Sequence, residues 1–184
     1  MRTAGKIILK KYSHHMKRFA MRITLALLLG LALAVPAFAT PAQFTALVIA
    51  VADGDTITVL TPDNRQVKIR LYGIDCPESG QAFGNRAKQA ASEAVHGKKV
   101  TVQPIEQDRD GWTVAVVLMP DGRSLNEHLI REGMAWVYSQ YCKLEDICAP
   151  LRRLEQSVKM SKRGLWIDKA PIPPWEWRTG LQCF

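Results

Sequence analysis

The chain has 184 residues, 47% of them apolar, enough for one domain with a real core. Its formal net charge of +8 suggests a polyanionic partner, but residues 1–39 hold seven basic residues and no acid. Residues 40–184 carry 18 basic against 17 acidic side chains, a net of +1, which excludes any argument from overall charge: an affinity for phosphate must come from local placement.

Lys17, Arg18 and Arg22 precede an apolar run from Ile23 to Val35, and Ala37-Phe38-Ala39 then supplies a small-x-small cleavage site. This order of charged, apolar and small residues is that of a secretory signal peptide. The apolar run is short for a membrane span. The expectation is an exported protein, periplasmic or secreted, whose mature chain begins near Thr40, is monomeric and keeps no stable membrane association. An uncleaved anchor, giving a structural envelope protein, is the competing reading. The chain thus divides into an N-terminal segment with its signal (1–39), a folded domain (40–168) and a Pro/Trp-rich tail (169–184).

Phe44 to Val51 is apolar and β-branched and predicts a first strand. Asp53-Gly54 turns the chain, and Thr56 to Val59 alternates as a second strand. Thr61-Pro62-Asp63-Asn64 is a strong turn signal. In the third strand, Val67 to Leu71, alternation puts Val67, Ile69 and Leu71 on one face and Lys68 and Arg70 on the other. Gln81 to His96 reads as a helix with an alanine-rich apolar stripe, stopped by Gly97. Val100 to Ile105 and Trp112 to Met119 are the fourth and fifth strands, joined through Asp110-Gly111. Ser124-Leu125-Asn126-Glu127 is a capping-box pattern that opens a second helix. A third helix is expected from Ala149 to Arg163. Five short strands with interspersed helices favour a barrel over a parallel sheet.

The chemistry concentrates between Asp53 and Glu78. Asp55, Asp75 and Glu78 lie at strand margins, with Arg70 between them. A hard cation such as Ca2+ takes several oxygen ligands, and a guanidinium beside it neutralises two phosphate oxygens at once. Asp53-Gly54-Asp55 alone reads as an ordinary turn, and Asp75-Cys76-Pro77-Glu78 alone as a strand exit before a helix. Together they point to a phosphodiester site.

Asp53-Gly54-Asp55-Thr56, followed by Arg70-Leu71-Tyr72-Gly73-Ile74-Asp75-Cys76-Pro77-Glu78, resembles the staphylococcal nuclease (thermonuclease) family in order and spacing. The resemblance covers about Ala46 to Trp166. It implies an α+β fold: a five-stranded OB-type Greek-key β-barrel with three helices. It also implies a Ca2+-dependent phosphodiesterase with DNA and RNA as substrates, giving 3′-phosphates. In that reading Asp55, Asp75 and the Cys76 backbone carbonyl hold Ca2+, Glu78 accepts a proton from the attacking water, and Arg70 offsets transition-state charge. The family places a second arginine where this chain has Trp112, and a tyrosine where it has Asp110. Arg109 is the candidate to take over the missing arginine's role. Arg109, Trp112 and Tyr138 are assigned to substrate contact. The mismatch predicts a slowed enzyme. The alternative is a catalytically weak or inactive exported OB-type module that binds single strands by stacking.

The four cysteines, Cys76, Cys142, Cys148 and Cys183, allow three pairings of all four. Cys142 and Cys148 flank a short polar loop and are expected to close it, since export permits disulfides. Zinc ligation is disfavoured, because neither His96 nor His128 is suitably spaced from them. The tail, Pro171 to Arg178, resembles a C-terminal extension of secreted bacterial relatives. Trp175 and Trp177 are expected to fold it back onto the domain.

Overall fold

The computed structural model describes residues 42–180. The expected signal peptide with its cleavage site, and Cys183, lie outside the described residues. Among those described, no helix is long and apolar enough to cross a membrane.

Five strands close a barrel in the order β1-β2-β3-β6-β5: β1 (Phe44–Val51), β2 (Thr56–Leu60), β3 (Gln66–Leu71), β5 (Lys99–Gln107) and β6 (Thr113–Leu118). Neighbours run antiparallel except β3 and β6, which pair in parallel. The alternation read from the sequence is the inside-outside alternation of this barrel. Val48, Ile57, Val59, Ile69, Val102, Ala115 and Val117 are fully buried within it. Pro104 falls beside a register shift in β5, where a missing N–H is tolerated.

The predicted helices are α1 (Gly84–Val95), α2 (Leu125–Arg131) and α3 (Glu145–Met160). Ser124 caps α2 by accepting from the Glu127 N–H at 3.3 Å. From the interior face of α2, the Asn126 side chain accepts from the Val117 N–H at 3.2 Å and donates to the Tyr72 carbonyl at 2.9 Å. It therefore ties the helix to the barrel and to the segment bearing the acids.

Three boundaries differ from the sequence reading. Helix α1 begins at Gly84, three residues later than expected, because Phe83 adopts a left-handed backbone (φ 69°) that breaks the ladder before it. Helix α3 begins at Glu145, before Pro150 rather than around it. Its start is fixed from outside the helix: the Tyr72 hydroxyl accepts from the N–H groups of Lys143 and Leu144 at 2.8 and 2.9 Å. The Cys142–Cys148 disulfide pins the same turn. The aromatic stretch after α2 holds a two-residue strand, β7 (Trp136–Val137), paired with β4 (Ile74–Asp75). Neither strand is long enough to show a period. A 3-10 turn (Gly164–Ile167) and a one-turn helix, α4 (Pro174–Trp177), complete the described chain.

Candidate active site

Pairing registers bring the acidic segments to one end of the barrel. Thr56 pairs with Arg70 across β2 and β3, and the Leu71 N–H donates to the Asp55 carbonyl at 2.8 Å. Arg70 pairs with Val114 of β6, which brings the β5–β6 turn and Trp112 alongside. Asp75 pairs with Trp136 across β4 and β7, and the Tyr138 N–H donates to the Gly73 carbonyl at 2.9 Å. The resulting cleft has a volume of about 600 Å³. Asp55, Arg70, Asp75 and Glu78 line it, as do Arg109, Trp112 and Tyr138.

Asp55 is 5% exposed. One of its oxygens accepts from the Cys76 N–H at 2.9 Å and the other from the Thr56 hydroxyl at 3.0 Å. Burial, then the neighbouring Asp53, push its carboxyl up to about 8. Asp75 is 1% exposed, and burial raises its carboxyl too, against the pull of two guanidiniums. The Cys76 thiol is buried, free and pushed well up by desolvation, so it stays a neutral thiol rather than a nucleophile or soft ligand. Arg70 reaches Asp75 Oδ1 at 3.5 Å and remains partly open to the cleft.

Glycine at position 54 is a spatial requirement. A Cβ there would lie 2.7 Å from the Cys76 side chain and 2.9 Å from Ala87 of α1. The Asp-Gly-Asp turn thus packs directly on the strand exit that carries Asp75. Gly54→Ala is expected to destabilise the fold by about 1–3 kcal/mol, the usual cost of overpacking, measured by urea unfolding. Gly84 is constrained similarly: a Cβ there would collide with the Glu78 carbonyl. The loop that presents Glu78 is therefore seated against the start of α1.

The turn opposite the acids is organised by Asp108, whose side chain accepts from the N–H groups of Asp110 and Trp112 at 3.0 and 2.8 Å. Arg109 is exposed on this turn. Trp112 is half-buried, with the Lys68 ammonium 4.4 Å from its ring. Tyr138 stacks on Trp175 of the tail, centroids 4.9 Å apart and planes 7° from parallel. One face of its ring is thus covered by the chain itself.

The residue missed in the sequence is Arg178. Its guanidinium contacts Asp75 at 2.7 and 3.2 Å and Glu78 at 2.5 Å. The tail was read for its tryptophans, and an arginine directly after Trp175-Glu176-Trp177 was the available signal. Gln81 was missed as well. It is buried, accepts from the Glu78 N–H at 2.9 Å and donates to the Ile172 carbonyl at 2.6 Å, joining the acidic loop to the tail.

One end of the small closed barrel thus gathers two buried carboxylates, a partly exposed acid and guanidiniums around one cleft. Residues 68–168 match the staphylococcal nuclease homologue family. An uncharacterized endonuclease of Escherichia coli O157:H7 is 43% identical over 132 residues, 71% of this chain and 82% of that protein. A micrococcal nuclease of Shigella flexneri is 40% identical over 157 residues, covering 80% of this chain and 86% of its own. Protein ParB of Escherichia coli is 38% identical over 173 residues, covering 89% and 94%. The chain belongs to the staphylococcal nuclease homologue family.

Proposed function

We propose that the protein is a Ca2+-dependent endonuclease that hydrolyses phosphodiester bonds of DNA and RNA. The observation that carries this reading is the convergence of Asp55, Asp75, Glu78 and Arg70 on one cleft, through three pairings among five strands. Family membership and the names of the relatives support a nuclease, a hydrolase acting on nucleic acid.

The residues fit a hard divalent cation. Two buried carboxylates repel one another's charge, and a guanidinium is already drawn onto one of them as a stand-in positive charge. The Cys76 thiol is neutral and unsuited to a soft metal. Among the described residues no three His, Cys, Asp or Glu side chains form a metal cluster of their own. Both carboxylates line the cleft with Cys76, and the family resemblance implies Asp55, Asp75 and the Cys76 carbonyl as the donor set, with water completing the shell. Calcium bound there supplies Lewis-acid polarisation of a phosphate oxygen.

The protein's own groups do the rest. Glu78 is the most solvent-accessible of the three acids, its side chain 34% exposed, and it is positioned to take a proton from an incoming water. Arg70 is held by Asp75 on the floor of the cleft and directs its guanidinium at the negative charge that builds on the phosphoryl oxygens. The Trp112 ring also lines the cleft, beside the strand that carries Arg70, where an unpaired base or the sugar-phosphate backbone would pass.

We place this activity outside the cytoplasm. The leader pattern supports it, as does the Cys142–Cys148 disulfide, a bond that persists in oxidising compartments. The test is cleavage of labelled single-stranded DNA and RNA by the purified protein. Products are expected with Ca2+ and none with chelator. Equal cleavage in both conditions overturns the metal-dependent chemistry. Retention of the strand without cleavage favours the single-strand-binding module.

A further inference from the structure

We propose that Arg178 of the C-terminal tail is a catalytic residue of this site, supplying a second guanidinium to the scissile phosphate opposite Arg70. The inference rests on the phosphodiesterase reading above.

The tail is built to deliver this one side chain. Gln81 fixes Ile172 by its carbonyl at 2.6 Å, and Trp175 stacks on Tyr138 at 4.9 Å. Pro174 is buried and opens the single turn of α4, and the Arg178 N–H closes that turn on the Pro174 carbonyl at 3.0 Å. Each anchor is tied to the active end of the barrel: Gln81 also holds the Glu78 backbone, and Tyr138 follows the strand paired with β4. A segment that merely covered surface would have no reason to carry its cation onto two acids.

The placement suits a shared phosphate. Arg178 and Arg70 both contact Asp75 Oδ1, at 3.2 and 3.5 Å. Their guanidinium nitrogens therefore lie no farther apart than those two lengths combined. One phosphoryl group bridges such a gap, with a charge-assisted hydrogen bond of about 2.8 Å on each side. Arg109 also lines the cleft, but it is exposed on the β5–β6 turn and forms no ion pair among the described residues. Arg178 is partly exposed at 37%, so it keeps the freedom to change partners.

The same geometry makes Arg178 a competitor of the cation. With no divalent ion bound, its guanidinium neutralises Asp75 and Glu78. Were those carboxylates to hold a divalent ion and a water instead, the guanidinium would be free to turn toward an incoming phosphate. No bond is made or broken to the arginine; it exchanges carboxylate oxygens for phosphoryl oxygens. One residue thus opposes metal binding in the free enzyme and assists the reaction in the complex.

The experiment compares the parent with Arg178→Ala and Arg178→Lys in two measurements: Ca2+ titration by calorimetry without substrate, and single-turnover cleavage. Arg178→Ala is expected to bind Ca2+ about 2- to 5-fold more tightly, the equivalent of losing one partly exposed ion pair. Its cleavage rate is expected to fall by about 10²–10³ at saturating substrate, the usual loss for one positioned transition-state donor. Arg178→Lys should recover part of the rate, since it keeps the charge but not the fork. In the Arg178→Ala background, Trp112→Arg should recover part of it from elsewhere on the cleft lining. A faster Arg178→Ala enzyme would mean an inhibitory latch and would overturn the proposal. So would an unchanged rate, or weaker Ca2+ binding together with a lost rate, which would mark a structural tail. A parent without Ca2+-dependent cleavage overturns the phosphodiesterase reading itself, and this inference with it.

Discussion

Asp55→Asn is expected to abolish Ca2+-dependent cleavage while making the metal-free protein more stable at neutral and alkaline pH. The two effects have one cause. Asp55 is buried, and burial with the nearby Asp53 holds its carboxyl at about 8 instead of the ordinary value of 3.8. A folded-state value above the unfolded one means that the fold favours the protonated form. Its contribution to stability is fully present below the unfolded value and is lost as pH rises through about 8. Asparagine has nearly the same shape and no charge to desolvate. Its carbonyl can still accept from the Cys76 N–H, and its amide can donate to the Thr56 hydroxyl, which is able to act as acceptor. The chelated variant should therefore melt several degrees above the chelated parent at pH 8, with the difference vanishing near pH 4. The same change removes a carboxylate from the proposed cation site. Outer-shell partners of metal ligands cost about 10–100-fold in affinity or activity, and a direct ligand should cost more. Added Ca2+ should then raise the melting temperature of the parent and leave Asp55→Asn unchanged. A variant that is both less stable and still stabilised by Ca2+ would refute this account.

That exchange of stability for function explains which parts of the molecule were legible from sequence. The barrel was readable because its information is periodic: β3 alternates Val67, Ile69 and Leu71 against Lys68 and Arg70, and the fold keeps that alternation. The acids were readable because each sits at a strand margin beside a turn residue. What was not legible depends on contacts distant in sequence. The Tyr72 hydroxyl sets the start of α3 from 71 residues away. The β4–β7 pair has two residues per strand, too few for any pattern. Arg178 meets Asp75 across 103 residues of chain, and its neighbours Trp175 and Trp177 gave the tail an apolar reason to fold back that concealed the charged one. Gln81, read as the first residue of a helix, is instead the bracket between the acidic loop and the tail.

Glu78→Gln is expected to lower kcat by about 10²–10⁴, the range for loss of a general base, with little change in Ca2+ affinity and a small change in KM. The argument begins with position. Glu78 lies two residues beyond the last proposed oxygen donor, on a loop clamped by the Gln81 side chain and by the close seat of Gly84. Its side chain is 34% exposed where that of Asp75 is 1%, so water reaches Glu78 and not Asp75. A carboxylate near water but outside the cation's donor set is placed to hold and deprotonate a nucleophile. Glutamine keeps the size and one acceptor, so it can orient water but cannot take its proton. In the proposed mechanism Arg70 and the cleft walls hold the substrate, the change leaves them alone, and KM should follow them. Arg178 complicates the comparison because it contacts both acids. Losing the charge at Glu78 weakens one of its two anchors and should free it toward phosphate, a small gain set against a large loss. Single-turnover cleavage and Ca2+ titration separate these effects: Glu78→Gln should lose rate in the chemical step while binding Ca2+ as the parent does. A Glu78→Gln enzyme within tenfold of the parent would remove Glu78 from the base role and leave water activation to the cation's own shell.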